Sequence, residues 1–352
     1  MSTATRGSIC RRWARSSALG GAAVLLAALA WAETPPRYGE TLEVRRTLFD
    51  VRVLDRHGEA VVGLGPRDFE LTVDGEPVAV EAVEWNGPPP TPFVSTALDG
   101  STPAAAAEPA PRWVVLFFQI DLHPSRATGL LRLASHVARL VDQLDPGDRV
   151  AVLTFRSHLA LHLDFTTDRA ALRRAVNPLA LLAEPAPAPP REGALLAGLL
   201  DPRAARAAAR PERGLLLVAR ALAALPGSKS LALLGWGLGE LRGGAVWMGG
   251  DYPAARGTLA ASHTAVFALD LTGADWHSLE VGLQSVADDT GGFYAKTHVF
   301  PAAAMSRLRG ALAGSYVLVF DRSTSRGGTH HVEVRVPSLR GATVLARATI
   351  DD

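Results

Sequence analysis

The chain has 352 residues, with 36 basic and 35 acidic side chains and a formal charge of +1. Four of the positives (Arg6, Arg11, Arg12, Arg15) precede the first acid. Residues 33–352 thus carry 32 basic against 35 acidic groups, a balance that excludes the basic field of a nucleic-acid binder. Hydrophobic content of 48% supplies sizeable cores, and the single cysteine, Cys10, removes disulfides, zinc–thiolate sites and cysteine nucleophiles from the rest of the chain.

The four arginines lead into the small and apolar run Ala18–Ala30, and Ala30-Trp31-Ala32 then offers small residues flanking a bulky one. A run of about 13 apolar residues is short of the ~20 that cross a bilayer, but it suits the core of an export signal. The sequence therefore predicts a signal peptide over 1–32 and a mature chain from Glu33. It also predicts no membrane span after signal removal and a secreted or periplasmic location.

Residues 33–86 read as a β segment. Phe49, Val51 and Val53 alternate with Asp50 and Arg52; Phe69, Leu71 and Val73 alternate next, and Asp74-Gly75 is a two-residue hairpin signal. Residues 87–110 read as a Pro/Ala-rich linker. From 111 to 314 the pattern changes to strand alternating with helix. Trp113–Phe118 and Arg149–Phe155 are nearly unbroken apolar runs, the mark of strands buried on both faces, and Leu130, Leu133, Val137, Leu140 and Val141 fall at helical spacing. A helix is expected over 168–176 and a long loop over 241–261. Residues 315–352 return to β, with a turn at Ser325–Gly328 and two hairpin histidines, His330 and His331, expected at the surface. The fold class is α/β: a doubly wound, mostly parallel sheet, plus a β-sandwich. The sandwich combines residues 33–86 with 315–352, because neither segment alone has enough strands to bury a face.

Five stretches together resemble the von Willebrand factor type A (VWFA) family, in its bacterial secreted form. They are Phe49–Asp55 with Gly63–Phe69 and Val73–Gly75; the strand leading to Asp121; Pro146-Gly-Asp-Arg-Val150; Phe165-Thr-Thr-Asp168; and Leu283–Gly292 followed by Ser315-Tyr316. The resemblance implies a Rossmann-like sheet whose strand C-termini form a binding face. It also implies a metal-ion-dependent adhesion site built from D-x-S-x-S, a Thr and an Asp. Here the first motif reads Asp121-Leu-His123-Pro-Ser125, the Thr position falls in Arg191-Glu-Gly-Ala-Leu195, and Trp236 stands where the Asp belongs. Two of five oxygens survive, and Mg²⁺ needs six hard donors. The site is degenerate, and no cofactor or bound metal is expected. Were a cation such as Mg²⁺ or Mn²⁺ held, Asp121, His123 and Ser125 would be its ligands.

Each of these residues has a plainer role open to it. Asp121 can accept backbone N–H bonds at a helix start, His123 can be a surface loop residue, and Ser125 can cap the helix. As a hydrolytic triad the trio fails, since it lies on one five-residue turn instead of converging from separate elements. No catalytic residues are assigned. Trp236, Trp247 and Tyr252 are candidate contact aromatics near the strand ends. The resulting expectation is an exported, non-enzymatic, metal-independent interaction protein that meets a protein partner through a rim containing Asp121, His123, Ser125, Trp236 and Trp247. Its alternatives are a cation-dependent adhesion module using Asp121, His123 and Ser125, and a hydrolase of unrecognised type.

Overall fold

Unbroken apolar strands need cover on both faces, and that requirement organises the molecule. The computed structural model describes residues 46–88, 111–183, 185, 195–322 and 328–351. The signal at 1–32, nearly all of the linker at 87–110 and most of the 325–328 turn lie outside them. In chain order the elements begin with β1 (Arg46–Leu54), β2 (Glu70–Val73), β3 (Glu76–Val78) and β4 (Val80–Asn86). Next come β5 (Arg112–Gln119), α1 (Pro124–Gln143), β6 (Arg149–Phe155), β7 (Leu159–Thr166), α2 (Arg169–Ala175), α3 (Pro178–Leu182), α4 (Leu196–Leu199), α5 (Pro202–Arg206) and α6 (Pro211–Ala223). Then follow β8 (Ser228–Gly235), β9 (Glu240–Arg242), β10 (Ala245–Trp247), α7 (Tyr252–Ala261), β11 (Thr264–Asp270), α8 (Glu280–Thr290), β12 (Phe293–Lys296) and α9 (Pro301–Ala313). The last strands are β13 (Ser315–Asp321), β14 (Thr329–Arg335), β15 (Thr343–Ala346) and β16 (Thr349–Asp351).

Six strands form one sheet in the order β12-β11-β8-β5-β6-β7, parallel throughout except for β7, which returns antiparallel at the edge. Side chains of β5 alternate between two cores. Val115 and Phe117 join Leu215, Val218 and Leu222 of α6 and Leu283 of α8, whereas Leu116 and Phe118 join Leu133, Val137 and Leu140 of α1 and Leu308 of α9. This is why the run reads as hydrophobic at every position.

The two chain ends interleave. One four-stranded sheet has the order β15-β1-β13-β4, with Phe49 opposite Leu318, and a second has the order β16-β14-β2-β3. A single apolar cluster draws Phe49, Val51, Leu71, Tyr316, Leu318, Phe320, Val332 and Ile350 from both sheets. Asp74 and Gly75 both adopt positive φ (52° and 86°) at the β2–β3 turn, the geometry that an Asp-Gly hairpin supplies.

Three local expectations are corrected. The stretch 241–261 is not one long loop: β9 and β10 form a hairpin, and Pro253 in the first turn starts α7. Tyr252 is therefore no rim aromatic. It is buried, and its hydroxyl donates to Asp289 at 2.6 Å. His330 is buried as well, sharing the inward face of β14 with Val332 and Val334 and bonding Asp74 through Nδ1 at 2.7 Å; His331 points outward. The helix expected over 168–176 is α2, with Asp168 as its N-cap accepting from Ala170 and Ala171.

Candidate functional site

From β5 the chain passes to β6 on one side and later to β8 and β11 on the other. Such a reversal opens a crevice beyond the strand C-termini, the usual binding place in open α/β sheets. Register keeps the strand ends level, with Phe118 beside Leu234 and Gly235 beside Asp270. Three loops meet there: 120–123 after β5, 236–239 after β8 and 271–279 after β11.

Buried Gln119 locks the first two together. Its Oε1 accepts the Trp236 and Gly237 N–H groups at 2.9 and 3.3 Å, and its Nε2 donates to the Gly237 carbonyl at 2.8 Å. A Cβ on Gly235 would lie 2.1 Å from that Oε1, so a larger residue there would push the Gln119 amide out of these bonds. The third loop docks on α1 through Gly129, whose missing Cβ would stand 1.8 Å from the Leu271 carbonyl oxygen.

At the first corner Asp121 accepts the His123 N–H at 2.8 Å and pairs with the Arg126 guanidinium. Arg126 also lies over the Trp236 ring, 3.8 Å from its centroid. Burial pushes the Asp121 carboxyl up, but the His123 N–H and the Arg126 charge outweigh it and hold the group below the ordinary range. The N-cap of α1 is His123, with no side-chain cap bond and Pro124 as the first helical residue. One expected role is thereby corrected. Asp121 does accept a backbone N–H at the helix start, that of the N-cap residue, but Ser125 is not the cap; its Oγ instead meets His123 Nδ1 at 2.9 Å. Trp236 is half-buried, and its Nε1 has no hydrogen-bond partner among the described residues. Asp121, His123, Ser125 and Trp236 thus form one group, tied through Arg126, a residue the sequence reading passed over. Trp247 stands apart, exposed on the β9–β10 hairpin.

The second corner is buried. Asp270, fully shielded at the end of β11, accepts from Thr272 N–H at 2.8 Å, bonds His277 Nε2 at 2.7 Å and accepts from the Tyr294 hydroxyl at 2.8 Å. Glu280, in the first turn of α8, receives Lys296 Nζ at 2.8 Å and the Tyr294 hydroxyl at 3.4 Å. Burial, reinforced by the two carboxylates, pushes the Tyr294 hydroxyl far up, so it remains a neutral donor. None of these residues was singled out from sequence. Faint signals existed: an Asp ending an apolar strand, His277 and Glu280 three apart, and Lys296 as one of only two lysines in the chain.

Around both corners the edge exposes large apolar side chains. Leu122 is 64% exposed, Trp276 68% and Phe300 73%, and each stands on a different loop. Among the described residues no helix is long and apolar enough to cross a membrane.

No protein-family model matches the chain, and no curated protein matches it. Several solved structures are similar. A von Willebrand factor type A protein from Catenulispora acidiphila aligns at 12% identity and a TM-score of 0.41, over 88% of this chain and 74% of that one. The vWF domain of the type V pili tip protein Mfa5 from Porphyromonas gingivalis aligns at 13% and 0.38, over 58% and 95%. The conserved hypothetical protein BatB from Bacteroides thetaiotaomicron aligns at 16% and 0.34, over 56% and 98%. Two of these three structures are described as von Willebrand factor domains. Function is argued from the site.

Proposed function

We propose that this chain is an exported, non-enzymatic interaction protein that presents the C-terminal edge of a VWFA-like domain, residues 111–314, to a protein partner. Residues 33–86 and 315–352 form its β-sandwich, residues 87–110 its linker, and residues 1–32 its export signal. The observation that carries the reading is the set of exposed apolar anchors, Leu122, Trp276 and Phe300, on separate loops of one sheet edge. Large apolar side chains exposed along one sheet edge are the kind of anchors that contact surfaces use.

Contact at this edge needs no cation at Asp121. Arg126 already neutralises that carboxylate and blocks its approach, and Trp236 fills the place of a further acid. The trio also lacks a catalytic relay: Asp121 bonds the backbone N–H of His123, while the ring faces Ser125. A triad needs the carboxylate on the imidazole.

The test is retention of exported proteins from the producing cell on immobilised residues 33–352. Wild type and a Leu48→Ser control, altered on β1, should hold the same partner. A Trp276→Ser/Phe300→Ser variant should lose it, and Trp236→Ala/Trp247→Ala should weaken it. Equal retention by all four would remove the edge as the contact surface.

A further inference from the structure

We propose that Asp270, His277 and Glu280 form a site for one divalent transition-metal ion, Zn²⁺ or Mn²⁺, separate from the Asp121 group. One ligand atom from each lies within 4.8 Å of the other two. Two of the three sit on rigid supports: Asp270 ends an interior strand of the sheet and Glu280 begins α8, with His277 on the loop three residues before it. The turn that leads into α8, closed by the Glu280 N–H on the His277 carbonyl at 3.2 Å, brings the two residues together.

Charge argues in the same direction. Asp270 and Glu280 are both buried, and placing two carboxylates together out of water is unfavourable unless positive charge joins them. Lys296 supplies one charge, on the Glu280 side. Among the described residues no Lys or Arg bonds Asp270, whose only basic partner is His277. The two carboxylates outnumber the one ammonium that pairs with them. A divalent cation that takes the place of the ammonium brings the two carboxylates to neutrality. Lys296 can leave easily, because its side chain is 30% exposed and already reaches the Asp275 carbonyl.

Supporting contacts of the kind that orient ligands are also in place. The Thr272 N–H fixes one oxygen of Asp270, and the Tyr294 hydroxyl donates to both carboxylates. The donor set selects the ion. One imidazole with two carboxylates suits Zn²⁺ or Mn²⁺, whereas Mg²⁺ and Ca²⁺ prefer all-oxygen shells with more ligands.

The experiment titrates the metal-free exported chain with Zn²⁺ and with Mn²⁺, reading bound metal per chain and the melting temperature. Co²⁺ absorption serves as a spectroscopic check on the ligands. Binding of one ion should raise Tm by roughly 4 °C or more at a hundredfold excess over Kd. Asp121→Ala should keep the full shift. His277→Ala and Glu280→Gln should abolish it, and His277→Ala, changing a side chain at the margin of the cluster, guards against a variant that fails to fold. Lys296→Met removes the competing ammonium and should tighten binding about tenfold, a gain that a merely structural cluster would not show. The proposal is overturned by no stoichiometric binding of either ion, by a shift that survives both ligand variants, or by a Lys296→Met chain that binds no more tightly.

Discussion

Two aspartates, one just past β5 and the other the last residue of β11, stand at one sheet edge and solve the same problem differently. Asp121 is partly in water and is balanced by an arginine in the first turn of α1, which also stacks on Trp236. Asp270 is fully enclosed and is balanced by His277, Tyr294 and, through Glu280, Lys296. The first arrangement is local, adjustable and cheap to alter, because water takes over whatever a lost partner leaves. The second has no such fallback. A buried carboxylate that loses a close donor has no water to replace it, which makes that corner the rigid part of the edge and Asp121 the adaptable part.

Breaking the buried corner should have the largest effect. Asp270→Ala in the metal-free chain leaves the His277 and Tyr294 donors without their acceptor, and we expect a loss of about 3 kcal/mol in guanidinium unfolding. Asp270→Asn keeps the shape and removes one of two like charges, so it should cost less than half as much. If Ala and Asn cost the same, charge is not what the cluster balances.

Separating the corners comes next. Gly129→Ala drives a methyl group into the Leu271 carbonyl, and backbone cannot yield as a flexible side chain can. A cost of about 1–3 kcal/mol is expected. Hydrogen exchange should quicken at Leu271, whose N–H bonds the Gly235 carbonyl at 2.7 Å. Unchanged protection there would mean the loop does not depend on α1.

Arg126→Ala tests the adaptable corner and should cost about 1 kcal/mol, combining a partly exposed ion pair with one cation–π contact. Trp236 fluorescence should change while the fold is retained, and 2 mM Mg²⁺ or Ca²⁺ should leave the wild-type melting temperature where it was.

The smallest effect is in pH. Folded Asp121 sits below an unfolded aspartate, about 3.9, so its contribution is whole above that value and is lost as pH falls through the lowered one. In Arg126→Ala the carboxyl should titrate at higher pH, visible by NMR of the Asp121 side chain. A titration curve unchanged from wild type would show that the His123 N–H alone sets it.

Much of the architecture was legible because burial leaves a periodic trace. Trp113–Phe118 is apolar at every position because two helical layers cover it, and Asp74-Gly75 announces a turn whose φ values suit few other pairs. Elsewhere a local cue and the pattern disagree. The neighbouring Gly-rich turn suggests an exposed hairpin histidine at His330, whereas period-two alternation with Val332 and Val334 places it inward. Tyr252 was grouped with the tryptophans of a Gly-rich stretch, but Pro253 beside it begins a helix that carries the ring into the core.

The sequence by itself determined the alternation of strand and helix from β5 to β8, the switch in period at 111, and the place of Asp121, His123 and Ser125 at the junction between the first core strand and its helix. These follow from contacts within a few residues or from exposure repeated along an element. Only the tertiary structure decided that Arg126 would occupy Asp121 while lying on Trp236, 110 residues away. It alone also decided that Asp270, His277, Glu280, Tyr294 and Lys296 would share one buried cluster. Which charges meet is set by the order and register of strands in the sheet, and spacing along the chain does not record that order.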